Sequence, residues 1–259
     1  MKIPSYIAAF SGQILMFVGV LQPAAAQSPI TSAIQPPAAL TSEQVVNNLV
    51  RRNLERAQAL AAYQGTRVYR LEYQGFPGSR TAEMVVDVSY KSPETKEFTV
   101  RSETGSKLVI DRVFKKLLQS EKEALSQENQ SRVALNQDNY SFTLAGQENA
   151  PAGSFYILSV EPRTKNKLLY RGRIWIDAQD FAVARIEAEP AKNPSFWTKD
   201  TKIEQVYSKV GNFWLPVSNR STSTIRLGGR ANLTIDYKDY QTTAVGPAND
   251  SRSTVAGYR

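Results

Sequence analysis

The stretch 168–190 constrains this chain most. Leu168-Leu169-Tyr170-Arg171-Gly172-Arg173-Ile174-Trp175-Ile176-Asp177 and Phe181-Ala182-Val183-Ala184-Arg185-Ile186-Glu187-Ala188-Glu189-Pro190 form two arms rich in β-branched and aromatic residues. Ala178-Gln179-Asp180 joins them, and Asp and Gln in so short a connection favour a tight turn, so the segment reads as an antiparallel hairpin. On the first arm Tyr170, Gly172, Ile174 and Ile176 share one face and Arg171, Arg173, Trp175 and Asp177 the other. A sheet with one apolar face must either close on itself or be covered by something apolar.

The rest of the chain repeats that pattern behind an N-terminal leader. Lys2 is followed by an apolar run from Ile7 to Leu21, interrupted by Ser11, Gly12, Gln13 and Gly19, and Ala24-Ala25-Ala26 offers a small-residue cleavage site. The apolar run falls short of the roughly 20 residues that span a bilayer, so residues 1–26 read as a cleavable signal peptide and the protein as exported to the periplasm. Pro29, Pro36 and Pro37 mark a flexible linker over 27–40. The chain contains no cysteine, which excludes both a disulfide framework and anchoring through an acylated cysteine. Its formal net charge of +8 favours anionic surfaces. The basic residues are scattered, however, and pairs such as Arg51-Arg52 and Lys115-Lys116 belong to solvated helix faces, so nucleic acid is not an expected partner.

From Thr41 onward the periods alternate. Thr41-Ser42-Glu43-Gln44 forms a capping box ahead of Val46, Leu49, Val50, Leu54, Ala57, Leu60 and Ala61 at helical spacing. Three period-two segments follow over 67–74, 80–90 and 96–103. A second amphipathic helix then carries Ile110, Val113, Phe114, Leu117, Leu118, Ala124 and Leu125 on one face. Seven further candidate strands run over 140–145, 155–162, 168–177, 181–189, 201–210, 213–227 and 230–240, separated by turn signals such as Pro151-Ala152-Gly153 and Gly228-Gly229. Strands in uninterrupted runs with two separate helices predict an α+β fold. The expected architecture is a strongly curved antiparallel sheet of about ten strands, in one domain over 41–241 with a disordered tail over 242–259.

Catalytic signals are sparse. Without His or Cys, Ser-His-Asp and Cys-His systems and the usual zinc, haem and iron-sulfur ligands are excluded. Asp177 and Asp180 read as turn residues rather than a glycosidase pair. Gly228-Gly229 sits between strands, not ahead of a helix, and Asp236, Asp239 and Asp250 lack calcium-loop spacing. The expectation is a protein that is not an enzyme and carries no metal or cofactor. The positive signal is apolar: two helices do not roof the inner face of a ten-strand sheet at about 4.8 Å per strand, so an unfilled apolar cavity is expected. Its expected lining is Tyr69, Leu71, Tyr73, Met84, Val86, Val88, Phe98, Val100, Tyr140, Phe142, Leu144, Ile174 and Ile176. Trp175, Phe196, Trp197, Phe213 and Trp214 read as packing anchors.

Taken together, the leader, the order of helices and strands, and the stretches Gly172-Arg173-Ile174-Trp175-Ile176-Asp177, Phe181-Ala182-Val183-Ala184-Arg185-Ile186-Glu187 and Trp214-Leu215-Pro216 resemble the LolA-like outer-membrane lipoprotein carrier superfamily. The resemblance covers residues 40–240 in element order. It implies a half-open β-barrel of about eleven strands, lidded by helices, whose cavity takes acyl chains of lipids or lipoproteins in the periplasm and passes them, as a monomer, towards a membrane or an outer-membrane acceptor. The alternative it implies is an RseB-like envelope-stress module that binds another protein. A basic residue on an early strand handles cargo in such carriers, and Arg67 and Arg70 are the arginines on the first strand here, expected at the rim.

Overall fold

The computed structural model describes residues 40–246 apart from 94, 167, 193–197 and 227. The leader, most of the linker and the chain beyond 246 therefore lie outside the described residues, as do Phe196 and Trp197.

Helix α1 (Ser42–Ala59) begins where the capping box placed it: the Thr41 hydroxyl accepts from the Gln44 amide, and the Gln44 side chain accepts from the Thr41 amide. Val45, Val46, Leu49 and Ala57 are buried on one side, while Arg51, Arg52 and Glu55 pair in solvent on the other. Leu60 and Ala61 do not continue the helix; they start strand β1 (Leu60–Gly75), seven residues earlier than the alternation alone indicated. Strands β2 (Arg80–Lys91) and β3 (Thr95–Gly105) complete a meander. The second expected helix is a composite: α2 (Lys107–Val109), a π turn (Ile110–Phe114) and α3 (Lys115–Glu123) run on continuously. A third helical piece, α4 (Gln127–Val133), was not expected, since Gln127-Glu128-Asn129-Gln130 has no apolar period; Ser126 caps it by accepting from the Asn129 amide. Strands β4 (Tyr140–Ala150), β5 (Gly153–Pro162), β6 (Tyr170–Asp177), β7 (Val183–Pro190), β8 (Thr198–Val210), β9 (Phe213–Ile225) and β10 (Gly229–Ala244) follow.

All ten strands join one antiparallel sheet in the order β3-β2-β1-β10-β9-β8-β7-β6-β5-β4. It is not closed, and β3 and β4 are its two edges. Strand β10 runs beyond the expected boundary at 241, because Gln241, Thr242, Thr243 and Ala244 pair with the early part of β1. The topology has a direct consequence for the helices. The chain leaves the sheet at one edge strand and re-enters it at the other, so α2, the π turn, α3 and α4 lie on the connection that joins the two open edges.

Two apolar clusters fill the inner face. The first combines Tyr69, Met84, Val86, Leu233 and Ile235 of the sheet with Val109, Ile110, Val113, Phe114, Leu117 and Leu118 from α2 to α3. The second sets Val45, Val46 and Leu49 of α1 against Tyr140, Leu158, Ile174, Ile176 and Ile186. Each fully buried Leu, Ile or Phe contributes about 1.5–3 kcal/mol, so each helical element is held mainly by the sheet half beneath it.

The 168–190 hairpin is present, with a connection of five residues, Ala178 to Ala182, rather than three: Phe181, at φ 47°, and Ala182 lie outside the second arm. Asp177 Oδ1 accepts from the amides of Gln179 and Asp180, which fixes the turn. Gly172 lies at φ 148°, and a Cβ there would sit 2.2 Å from the Glu187 carbonyl oxygen on β7. Gly172→Ala is therefore expected to lower the stability of the domain by about 1–3 kcal/mol, read as a fall in the urea midpoint at unchanged slope.

Candidate functional site

The inward positions of β1 and β3 include two cations, and the lid helix supplies an anion between them. Period two places Arg67 on the same face as Tyr69, Leu71 and Tyr73, and Lys96 on the same face as Phe98. On α3, Glu121 follows Leu117 and Leu118 at helical spacing and so faces inward with them. Arg67 Nη1 and Nη2 donate to Glu121 Oε2 and Oε1 at 2.6 and 3.1 Å, and Lys96 Nζ donates to Glu121 Oε1. The three side chains are almost wholly removed from water, at 3% residual side-chain exposure for Arg67 and Glu121 and 2% for Lys96. Aromatic rings enclose them: the Arg67 guanidinium lies 4.9 Å from the Tyr237 ring and 5.7 Å from Phe98, and Lys96 Nζ lies 5.5 Å from Tyr63.

Burial opposes every charge in this cluster, but the charges answer one another. Burial would push the Glu121 carboxyl up, and Arg67 and Lys96 nevertheless hold its pKa below the ordinary carboxylate value. Burial likewise acts against the Arg67 charge, and the Glu121 carboxylate overrides it and drives the guanidinium pKa higher still. Burial raises the Tyr69 hydroxyl to about 12, with Arg67 opposing it. A single ionic contact thus ties the α3 lid to both β1 and the edge strand β3. Outside it, Lys115 adds a solvent-facing tie to Glu103 of β3 at 3.2 Å.

The structure places the expected lining residues as follows. Tyr69, Met84, Val86, Tyr140, Ile174 and Ile176 have no exposure at all, and Leu71, Tyr73 and Val88 are buried. Phe98, Phe142 and Leu144 are partly buried against the same clusters. Val100 is 40% exposed: it lies on edge strand β3, beside a bulge at which the register with β2 skips Arg101. Elsewhere these residues face inward, and side chains of the lid helices and of α1 pack against them. The two arginines separate as well. Arg67 is buried under the lid rather than at a rim, and Arg70 lies on the outer face, bonded to Glu83 at 2.8 Å and to Asp236 at 2.6 Å.

A cavity of about 60 Å³ lies at the C-terminal end of α1, bordered by Arg56, Leu60, Val183, Tyr207, Trp214 and Leu215 among others, and by none of the residues expected to line one. Arg56 closes one side by donating to the carbonyl oxygens of Asp180 and Phe181 at 2.8 and 3.0 Å. Asp180 accepts from Trp214 Nε1 and pairs with Lys209, and these bonds hold its carboxyl below the usual range. Asp177 and Asp180 are thus engaged in building the hairpin tip. Trp175 is an anchor of the outer face, stacked between the Arg173 and Arg185 guanidinium groups and donating to Glu148.

Among the described residues no group of three or more acidic, His or Cys side chains is placed to hold a metal ion, and no helix is long and apolar enough to cross a membrane. The sequence signal for the buried cluster was available in the two periods: three charged residues each fall on a face that is otherwise apolar. Arg67 and Arg70 both lie on the first strand, and Lys96 and Glu121 belong to no motif that marks them out.

The fold and site define an unclosed antiparallel shell whose edge-to-edge connection forms an ion-latched helical roof. A family model described as a family of unknown function (DUF5686) matches residues 132–240, from the end of α4 into β10. Among curated proteins none matches the chain in sequence. Solved structures similar to the chain include a LolA superfamily protein from Nitrosomonas europaea, at 9% identity and TM-score 0.36, covering 80% of this chain and 96% of that one. A domain from Vibrio parahaemolyticus described as an outer membrane lipoprotein-sorting protein is similar at 11% identity and TM-score 0.41, covering 81% and 96%. The MucA/MucB complex of Pseudomonas aeruginosa contains a similar chain at 10% identity and TM-score 0.24, covering 77% and 99%.

Proposed function

We propose that the protein is a non-enzymatic periplasmic carrier that takes acyl chains of a lipid or lipoprotein between its sheet and its helical roof and passes them towards the outer membrane. The observation that carries this reading is the Arg67–Glu121–Lys96 cluster beneath α3. A buried ion cluster is a poor way to secure a permanent roof, because apolar side chains of similar volume hold as well or better. It does specify one closed geometry, and it comes apart when the helix lifts and water reaches the charges. The π turn beside it supports the same reading, since such turns accumulate at functional positions in helices.

Tyr69, Met84 and Val86 have no exposure beneath the roof, and the cavity of about 60 Å³ at the end of α1 is well below the roughly 300–1,000 Å³ of ordinary ligand pockets. Uptake therefore requires the roof to move off Tyr69, Met84 and Val86, whose apolar surface would then receive the chain at about 0.8 kcal/mol per buried CH₂. The basic balance of the chain suits contact with anionic headgroups. Protein recovered from a periplasm is expected to release lipid into organic solvent and to take up a fluorescent acyl probe. Repeated absence of both would overturn the carrier reading. The filled interior also favours a second reading, a regulatory module that binds an envelope protein through its surface; for that, a folded partner recovered in pull-downs from a protein that holds no lipid is the expected result.

A further inference from the structure

The inner face is not apolar throughout. Thr201 and Gln205 on β8 and Asn219, Ser221 and Ser223 on β9 are all buried, at 2% residual exposure for Gln205 and 3% for Asn219. Register sets Gln205 opposite Asn219 and Ile203 opposite Ser221, so these side chains form one stripe along two adjacent strands. Strands β8 and β9 stand between β10, whose Leu233 and Ile235 belong to the first apolar cluster, and β7, whose Val183 and Ile186 belong to the second. Within the stripe Thr201 and Ser223 share a hydrogen bond at 2.9 Å, and Asn219 Nδ2 donates to Gln205 Oε1 at 3.4 Å.

Two donors on this face have no acceptor: Gln205 Nε2 and the Tyr237 hydroxyl. Ile235 of β10 pairs with Asn219, so Tyr237 stands two residues along from the stripe on the same face, with its ring against Arg67. Buried donors of this kind cost free energy unless something accepts from them, and a core with no role beyond packing would place Leu or Phe there. Gln205 Nε2 is a donor and the Tyr237 hydroxyl can donate, so a group that offers an oxygen acceptor would complete both. A hydrocarbon tail offers none. An ester carbonyl does.

We infer that the inward face of β8 and β9, together with Tyr237, is a polar subsite that receives the carbonyl oxygens of acyl esters, with Gln205 and Tyr237 as donors. This rests on the carrier reading above and narrows it: the cargo is gripped at the acyl linkage as well as along its chains. Alkyl chains would lie on the clusters at either side, and the carbonyl end would sit over the stripe that divides them.

The test compares dimyristoylglycerol with the dialkyl-ether glycerol of the same chain length, which lacks both carbonyls, by displacement of a fluorescent acyl probe from the full chain. The wild type is expected to bind the ester about tenfold more tightly, the ratio one well-made buried hydrogen bond supplies. Gln205→Leu and Tyr237→Phe are expected to reduce ester affinity several-fold each and leave ether affinity unchanged, a pattern that a merely destabilised fold would not give. Equal affinity for ester and ether in the wild type overturns the subsite and leaves the carrier reading standing. Equal loss of both ligands in both variants also overturns it, since the residues would then only support the fold. Failure of both lipids to bind the wild type overturns the carrier reading itself.

Discussion

Glu121→Gln is expected to remove about 3–5 kcal/mol of stability at neutral pH, because it leaves Arg67 and Lys96 buried side by side without a counter-charge. The loss is read as a fall in the urea midpoint; a loss under about 1 kcal/mol would mean that water reaches the cluster in the folded state. The triple replacement Arg67→Met, Lys96→Met and Glu121→Leu is expected to behave oppositely, holding stability or raising it by about 1–4 kcal/mol. If the cluster is a latch, that variant also takes up acyl probe more slowly than the wild type, because an apolar roof gains nothing from water when it lifts. The pH dependence follows from the same contact. The carboxyl is depressed in the folded state, so its contribution is complete above the unfolded carboxylate range and disappears as the pH falls through the folded pKa. Glu121→Gln lacks that acid-side dependence.

A second large effect lies at the alkaline end. Tyr69, Tyr140, Tyr170, Tyr207, Tyr237 and Tyr240 are all pushed upward by burial, Tyr69 to about 12. In the unfolded chain each titrates near pH 10. Their contribution is therefore complete below pH 10 and is lost as the pH rises, at about 1.4 kcal/mol per pH unit for each hydroxyl that ionises only on unfolding. With several acting together, the domain is expected to unfold cooperatively within about one to two pH units above 10. Tyrosinate absorbance should appear in step with loss of the near-ultraviolet dichroism. Gradual tyrosinate formation in a chain that keeps its fold would show that these hydroxyls are reached by solvent.

The sheet was legible in the sequence because period two is a local signal: inward faces such as Tyr69-Leu71-Tyr73 and Ile174-Ile176 follow from alternation alone. Strand ends were less so. Residues 60–66 of β1 carry little alternation, and their partners in β10 lie far away in sequence, so pairing rather than propensity extends the strand. How much room the inner face leaves depends on side-chain size as well as on the ratio of two helices to ten strands: Tyr69, Tyr90, Tyr140 and Phe114 are fully buried and occupy volume that shorter side chains would leave open. The cluster was half legible. Arg67 and Lys96 sit at inward parity, but their shared partner comes from a helix whose placement on that half of the sheet depends on the connection between the two edges.

The central claim is that the roof must lift for hydrocarbon to be taken up. The chain has no native cysteine, so Glu103→Cys with Lys115→Cys can be joined by a short reducible bis-maleimide, which ties α3 to β3 across the gap that the two long side chains now span with a contact of 3.2 Å. Titration of the crosslinked and reduced forms with a fluorescent acyl probe tests the claim most directly. The account predicts that uptake is lost when the tie is closed and returns on reduction; uptake that is unchanged with the tie closed would contradict it.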